Sequence, residues 1–261
     1  MRYTILTLLA CSSAALAQAP APAPAAPVAP ATDAKALIEH IDALWSSRDE
    51  GENPKTLEQL TTEALKAAPD DYGVLWRASR WHLWLGDGLP NGDAKEKEGK
   101  LGWEIGDKAT AKNPTAGEGW YYSAACIGIY SQAIGVVNAL LKGLEGKFLD
   151  RLNKAIEISP DINFGGPPIL KGRYYYELPW PKYDGDKSLE WYKKAVAKFP
   201  KSARLHLYTA ETLLKEGKAK EANEENAACL SVSPGTYDAP DERRMHGLAE
   251  KLKVKIEREL K

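Results

Sequence analysis

The chain has 261 residues, 44% of them hydrophobic and 27% charged, and its 35 Lys+Arg against 36 Asp+Glu leave a net charge of −1. That balance argues against a basic nucleic-acid binder, so no nucleic acid is expected as a partner. Four His and three Cys supply little for a metal cluster, and no cofactor is expected. Eight Trp and twelve Tyr against three Phe favour amphipathic rings, which suit cleft walls and partly wet interfaces.

Residues 1–17 read MRYTILTLLACSSAALA. One Arg, a short apolar stretch and a closing Ala15-Leu16-Ala17 predict an export signal peptide. The apolar stretch is shorter than the ~20 residues a spanning helix needs. Leu8-Leu9-Ala10-Cys11 also resembles a lipobox, and membrane association is expected only if Cys11 is lipidated. Residues 18–32 form a Pro/Ala-rich linker. Its alternating prolines exclude a helix and favour an extended tether of roughly 40 Å. The folded helical-repeat domain is expected over residues 33–261, and an exported chain of this kind is expected in the periplasm or otherwise outside the cytoplasm.

Within that domain a small residue, four intervening residues and a Pro recur five times: Ala64–Pro69, Ala109–Pro114, Ala155–Pro160, Ala195–Pro200 and Cys229–Pro234. The Pro-to-Pro steps are 45, 46, 40 and 34 residues. The small residue lets a neighbouring helix approach, and the Pro stops one helix and opens a turn. The spacing predicts helices near 33–47, 55–68, 72–86, 93–112, 116–134, 136–158, 167–177, 185–199, 202–216, 219–231 and 239–259. In the last, Met245, Leu248, Leu252, Ile256 and Leu260 fall at helical steps, as expected of a C-terminal capping helix.

The 34-residue step and the Trp120 that follows Pro114 make residues 55–240 resemble a tetratricopeptide-like array. The fold expected is all-α: a tetratricopeptide-like array of helical hairpins, an α-solenoid, with inserts in the longer units. A narrower likeness rests on GWYYSAACIGIYSQAIG (119–135) and KFLDRLNKAIEISPDINFGGPPILKGRYYYELPWP (147–181). This block resembles the T component of TRAP-type transporters, and regulators of microtubule dynamics share a similar layout. The first resemblance implies a periplasmic solute-binding subunit as protein partner.

A stack of hairpins lines its concave side with the first helix of each pair. Counting from the repeat places Trp76 and Arg80, then Glu118 and Tyr121, then Arg173 and Tyr176, then Arg204, Leu207 and Glu211 on that side. Arg173 and Tyr176 qualify if Gly172 is a close-packing site. Guanidinium forks suit carboxylates and aromatic walls give contact area, so the groove suits a small organic anion or an acidic or aromatic peptide. The same arginines can equally pair with Glu118, Glu177 or Glu211 and hold the stack. The apolar stretch 123–144 is expected as a buried helix or as the wall of a tunnel. Trp180, between two prolines, either plugs the end of the core or offers an aromatic anchor, and the burial habit of large aromatics favours plugging.

No HExxH, CxxC, GxSxG or phosphate-cradling loop is present. His82 has no nucleophile or carboxylate placed beside it by sequence and reads as a core or rim residue. Cys126 and Cys229 fall in separate units, too far apart for a bridge, and are expected as buried free thiols. The leading expectation is an exported binding protein without enzymatic activity, an accessory subunit of a solute transport system. The alternative is a scaffold or assembly factor of the cell envelope with no ligand of its own.

Overall fold

The computed structural model describes residues 34–261. The expected signal peptide, linker and Cys11 lie outside the described residues. The described residues hold twelve α-helices and no strand. They pair in chain order. α1 (Ala34–Trp45) packs with α2 (Asn53–Ala67), and α3 (Tyr72–Gly88) with α4 (Asp93–Lys112). α5 (Gly117–Ile134) packs with α7 (Leu144–Ile158), with the short α6 (Val136–Leu141) inserted between them. α8 (Ile162–Glu177) packs with α9 (Gly185–Val196), and α10 (Ala203–Lys215) with α11 (Ala219–Ser231). α12 (Ala239–Glu259) closes the series against α10 and α11.

The five prolines sit where the repeat requires them, just past the C-termini of α2, α4, α7, α9 and α11. The small residue five positions before each is buried: Ala64, Ala109, Ala155 and Cys229 are fully covered, and Ala195 is 2% exposed. Each spacing is thus a close contact followed by a chain reversal. Asp71 then caps α3 by accepting from the Val74 N–H at 2.9 Å, and Ser202 caps α10 through the Leu205 N–H at 3.3 Å. Asp184 caps α9 in the same way.

The closest helix pair is α4 against α5. A methyl group at Gly99 would lie 2.5 Å from the Tyr130 amide nitrogen, and one at Gly106 would lie 2.8 Å from the Ser123 Cα. Gly102 faces Cys126 just as tightly. Glycine at three helically spaced positions lets the two backbones meet. Gly172 plays the same part against Tyr192, as the sequence suggested.

Three local differences from expectation have physical causes. The helix expected over 136–158 is two helices, because Gly143 takes a left-handed backbone (φ 70°) between α6 and α7. The helix expected from 167 starts at Ile162, but Asn163, Phe164 and Gly165 all have positive φ, so its first turn is distorted ahead of Pro167 and Pro168. Trp180 is 90% exposed and does not plug the core. The ring sits at the tip of a turn in which the Lys182 and Tyr183 N–H groups donate to the Pro179 carbonyl, beyond Leu178, which is buried. Among the described residues no helix is long and apolar enough to cross a membrane.

Candidate functional site

The first helices of the pairs turn one face each toward a common cavity of about 140 Å³. On α3 that face is Arg80, Leu83, Trp84 and Asp87, and on α8 it is Gly166, Ile169, Leu170 and Arg173. Both sets follow the i, i+3, i+4, i+7 spacing of one helical stripe. α5 contributes Tyr121, Tyr122, Ala125 and Gly128; α10 contributes Arg204 and Tyr208. The wall is completed by the two ends of the domain. Trp45 and Arg48 come from α1 and the turn after it, and Tyr237, Asp238 and Asp241 come from the start of α12.

Four guanidiniums therefore meet around one space, and carboxylates accompany them. Arg48 binds Asp238 (2.8 Å) across 190 residues of chain, with its side chain only 2% exposed. Arg204 bridges Asp241 (2.5 Å) and Asp87 (2.8 Å) and donates to the Tyr208 hydroxyl at 2.6 Å. Arg173 sits between Glu177 (2.7 Å) and Glu211. Arg80 reaches Asp42 at 3.0 Å. The Nε atoms of Arg48, Arg80 and Arg173 are buried with no partner. The Tyr122 hydroxyl, on the same wall, makes no hydrogen bond within the described residues, and burial pushes its ionisation up to about 12.

Burial alone would raise the Asp87 carboxyl, but Arg204 and Arg244 beside it hold it well below the usual carboxylate range. Burial opposes the charge on Arg204, yet Asp241 and Asp87 hold that guanidinium well above its ordinary value. Burial also pushes the Cys126 and Cys229 thiols up to about 12, and both are free and buried.

The cavity's N-terminal wall is a ladder of alternating rings and guanidiniums. Tyr122 stacks on Trp76 (5.9 Å between centroids, 7° apart), and Arg80 lies 4.9 Å from Trp76 and 3.8 Å from Trp45. Arg48 lies 4.3 Å from Trp45 and 4.0 Å from Trp84, whose ring Arg244 also covers at 3.2 Å. Rings and cations thus hold each other's orientation through cation–π contact.

Of the residues singled out in the sequence, Arg80, Tyr121, Arg173 and Arg204 line the cavity together. The others do not. Trp76 stands behind the wall under Arg80 and Tyr122. Glu118 turns aside to accept from the Tyr72 hydroxyl at 2.8 Å. Tyr176 packs over the outer side of Arg173, and Glu211 is that arginine's counter-ion. Leu207 is fully buried in the C-terminal core with Met245 and Ile256, because it lies on the α10 face turned to α11 and α12. Sequence reasoning missed Trp45, Arg48, Trp84, Tyr122 and the acidic start of α12. The Trp45-x-x-Arg48 spacing was the available signal, but nothing local says that the last helix returns to it. His82 does have a carboxylate, Glu98, at 2.6 Å.

A second cavity of about 80 Å³ lies between α5, α6, α7 and α8. It is walled by apolar groups such as Leu140, Leu144, Phe148 and Leu178, and it shares Gly128, Gln132, Leu170 and Arg173 with the first. The stretch 123–144 is thus both core and cavity wall.

Comparison with known proteins follows this geometry. The chain is similar to TTC0263, a thermophilic TPR protein of Thermus thermophilus, with a TM-score of 0.62 and 21% identity over 83% of this chain and 98% of that one. It is also similar to YrrB, a TPR protein with an unusual peptide-binding site, with a TM-score of 0.41 and 12% identity over 81% of this chain and 92% of that one. The first likeness shows a tetratricopeptide-like all-helical fold. No curated protein matches the chain. The model of the family described as regulator of microtubule dynamics protein 1-3 matches residues 37–183, more than half of the chain and the part that supplies the α1, α3, α5 and α8 portions of the cavity wall. Of the two layouts that the central block resembles, this is the one the family match supports, and the chain belongs to the regulator of microtubule dynamics protein 1-3 family.

Proposed function

We propose that this protein is an exported, non-enzymatic binding protein whose cavity takes a small organic anion, and that it serves a solute transport system as an accessory subunit. One observation carries the reading. The guanidiniums of Arg48, Arg80, Arg173 and Arg204 and the unpartnered Tyr122 hydroxyl line a space of about 140 Å³ that is also walled by Trp84. That volume is close to the ~150 Å³ cavity that accepts one benzene ring. It suits an aromatic or branched carboxylate, or a single side chain of a peptide, and is far too small for a folded partner. A protein partner such as a periplasmic solute-binding subunit would dock outside the cavity.

The test is a titration of the purified protein with 4-nitrobenzoate, read by quenching of tryptophan fluorescence. Trp45 and Trp84 stand in the wall. Binding should weaken about tenfold in Tyr122→Phe, the loss of one hydrogen bond to a charged group. No quenching in the parent protein beyond that given by neutral nitrobenzene would reject the anion site. One observation favours a second reading, a scaffold without ligand: Arg173 and Arg204 each already hold two carboxylates. On that reading no carboxylate in a chemically varied series shifts the unfolding temperature.

A further inference from the structure

We propose, resting on the reading of the 140 Å³ cavity as an anion site, that the turn Asn163–Gly165 is its door, and that the Phe164 ring leaves Tyr237 and Phe199 to let the ligand in or out. Among the described residues that line the cavity, Asn163 and Phe164 alone are exposed, and every other one is buried or half-buried. The backbone there is out of the ordinary. Asn163 (φ 50°, ψ 47°), Phe164 (φ 56°, ψ 49°) and Gly165 (φ 82°) are left-handed in succession. Glycine adopts this region freely and asparagine tolerates it, but a phenylalanine is crowded there by its own Cβ. Only its surroundings hold it. The Phe164 ring stacks on Tyr237 at 5.1 Å and meets Phe199 edge-on at 6.3 Å. Asn163 donates from Nδ2 to the Tyr121 hydroxyl at 3.3 Å, a long bond. With these contacts made, the Phe164 side chain is still 38% exposed.

The frame around the turn is fixed by stronger ties. Tyr237, itself part of the cavity wall, sits on a loop whose amides donate to the Glu242 carboxylate. Phe199 is held at the end of α9, where its N–H donates to the Ala195 carbonyl at 3.0 Å. Upstream of the turn, Asp161 pairs with Lys198 at 2.8 Å. Downstream, the buried Pro167 and Pro168 stiffen the start of the regular part of α8. A short strained stretch therefore lies between two anchored ends and is closed by ring contacts and one long hydrogen bond. Closing gains those contacts at the expense of backbone strain, and opening releases the strain at the expense of the contacts, so the two arrangements lie close in free energy.

The experiment places a thiol on the cavity wall by Ala125→Cys, a position 5% exposed. Its rate of reaction with 2-sulfonatoethyl methanethiosulfonate, an anionic thiol reagent, is followed by mass spectrometry. The parent protein, labelled in parallel, is the blank for the buried thiols of Cys126 and Cys229. The rate should be slow with the turn intact and rise about tenfold when Phe164→Ala is added, with the ring contacts gone. Asn163→Gly keeps the left-handed backbone and removes the bond to Tyr121, and it should raise the rate about fivefold. Phe164→Tyr, which keeps the ring, should keep the slow rate. Equal rates in all four proteins would overturn the proposal. So would rates that climb with sub-denaturing urea in step with global unfolding, since access would then require the whole domain to open. Saturating 4-nitrobenzoate should slow the labelling in every variant. Without that protection the anion site is rejected, while the labelling rates still decide whether the turn is the door.

Discussion

Asp87 shows how much rests on one side chain in this domain. It receives Arg204 at 2.8 Å and Arg244 at 3.3 Å and joins α3 to α10 and α12. Replacing it by Asn keeps the shape and removes the charge, which leaves two buried guanidiniums short of a partner. Asp87→Asn should cost about 3 kcal/mol in urea denaturation. The carboxyl is held below its ordinary value in the folded state. Its stabilising contribution is therefore complete above the unfolded value of ~3.9 and is lost as pH falls through the folded one. The Asn variant should accordingly show a flatter acid limb in its stability profile. His206 has the opposite sign. Its hydrogen bond to Glu225 (2.7 Å) and the Pro200 carbonyl raise its basicity, with burial opposing. The pair then stabilises fully below the unfolded value of ~6.5 and less as pH rises through the folded one. Urea midpoints at mildly acidic and mildly alkaline pH should differ less in His206→Asn than in the parent.

Among the elements, α4 and α5 are bound by what their glycines omit. Gly106→Leu would drive a side chain into the α5 backbone at Ser123 and should cost about 2–3 kcal/mol through overpacking. Gly247, in the middle of α12, faces open space. Gly247→Ala should instead stabilise by about 0.5–1 kcal/mol, because alanine loses less chain entropy in a helix. Chemical denaturation of the two variants side by side checks the contrast. It also separates glycine as a contact surface from glycine as a mere loss of helix propensity. The short α6 is a different case. It exists because Gly135 and Gly143, both with positive φ, bend the chain on either side of Val136–Leu141. Those bends turn Val137 and Leu141 outward.

For the molecule as a whole, the decisive feature is the seam where α12 meets α1 and α3. The N-terminal apolar cluster, with Leu37, Leu57 and Trp81, and the C-terminal one, with Leu207, Met245 and Ile256, remain separate. Across the seam run Arg48–Asp238, Arg243–Asp49, Arg243–Glu50 and Arg244–Asp87, with Arg48 and Arg244 stacked on Trp84. Burial decides which of these matters. Arg243, 38% exposed, should cost under about 1 kcal/mol when truncated to Ala, and less in high salt. Arg48 is almost wholly enclosed, and Arg48→Ala should cost about 3 kcal/mol and speed amide exchange at the start of α12 and the end of α1. Equal effects of the two substitutions would mean that the seam is not held by its buried pair. Glu242 supports the same region from within. Its carboxylate accepts from the backbone amides of Gly235, Thr236, Tyr237 and Asp238, which fixes the loop that carries Tyr237 and Asp238 to the cavity.

The repeat was legible because it is a local pattern. A small residue and a proline five positions apart state that one helix is closely packed and then ends, and this happens at Ala64–Pro69 as at Cys229–Pro234. From that alone follow the all-helical class, the pairing order, the helices that face inward, and the convergence of Arg80, Arg173 and Arg204. The outward Trp180 and the break at Gly143 were not legible, since burial and backbone sign at single residues depend on what surrounds them. Nor could the sequence give the return of α12 to α1. A periodic pattern sets how each pair meets the next, but whether the first and last pairs meet depends on small rotations added from pair to pair. Those rotations bring Arg48 to Asp238 and turn an open groove into a cavity, so tertiary structure alone added Arg48 to the arginines that face the space and decided which carboxylates already hold them.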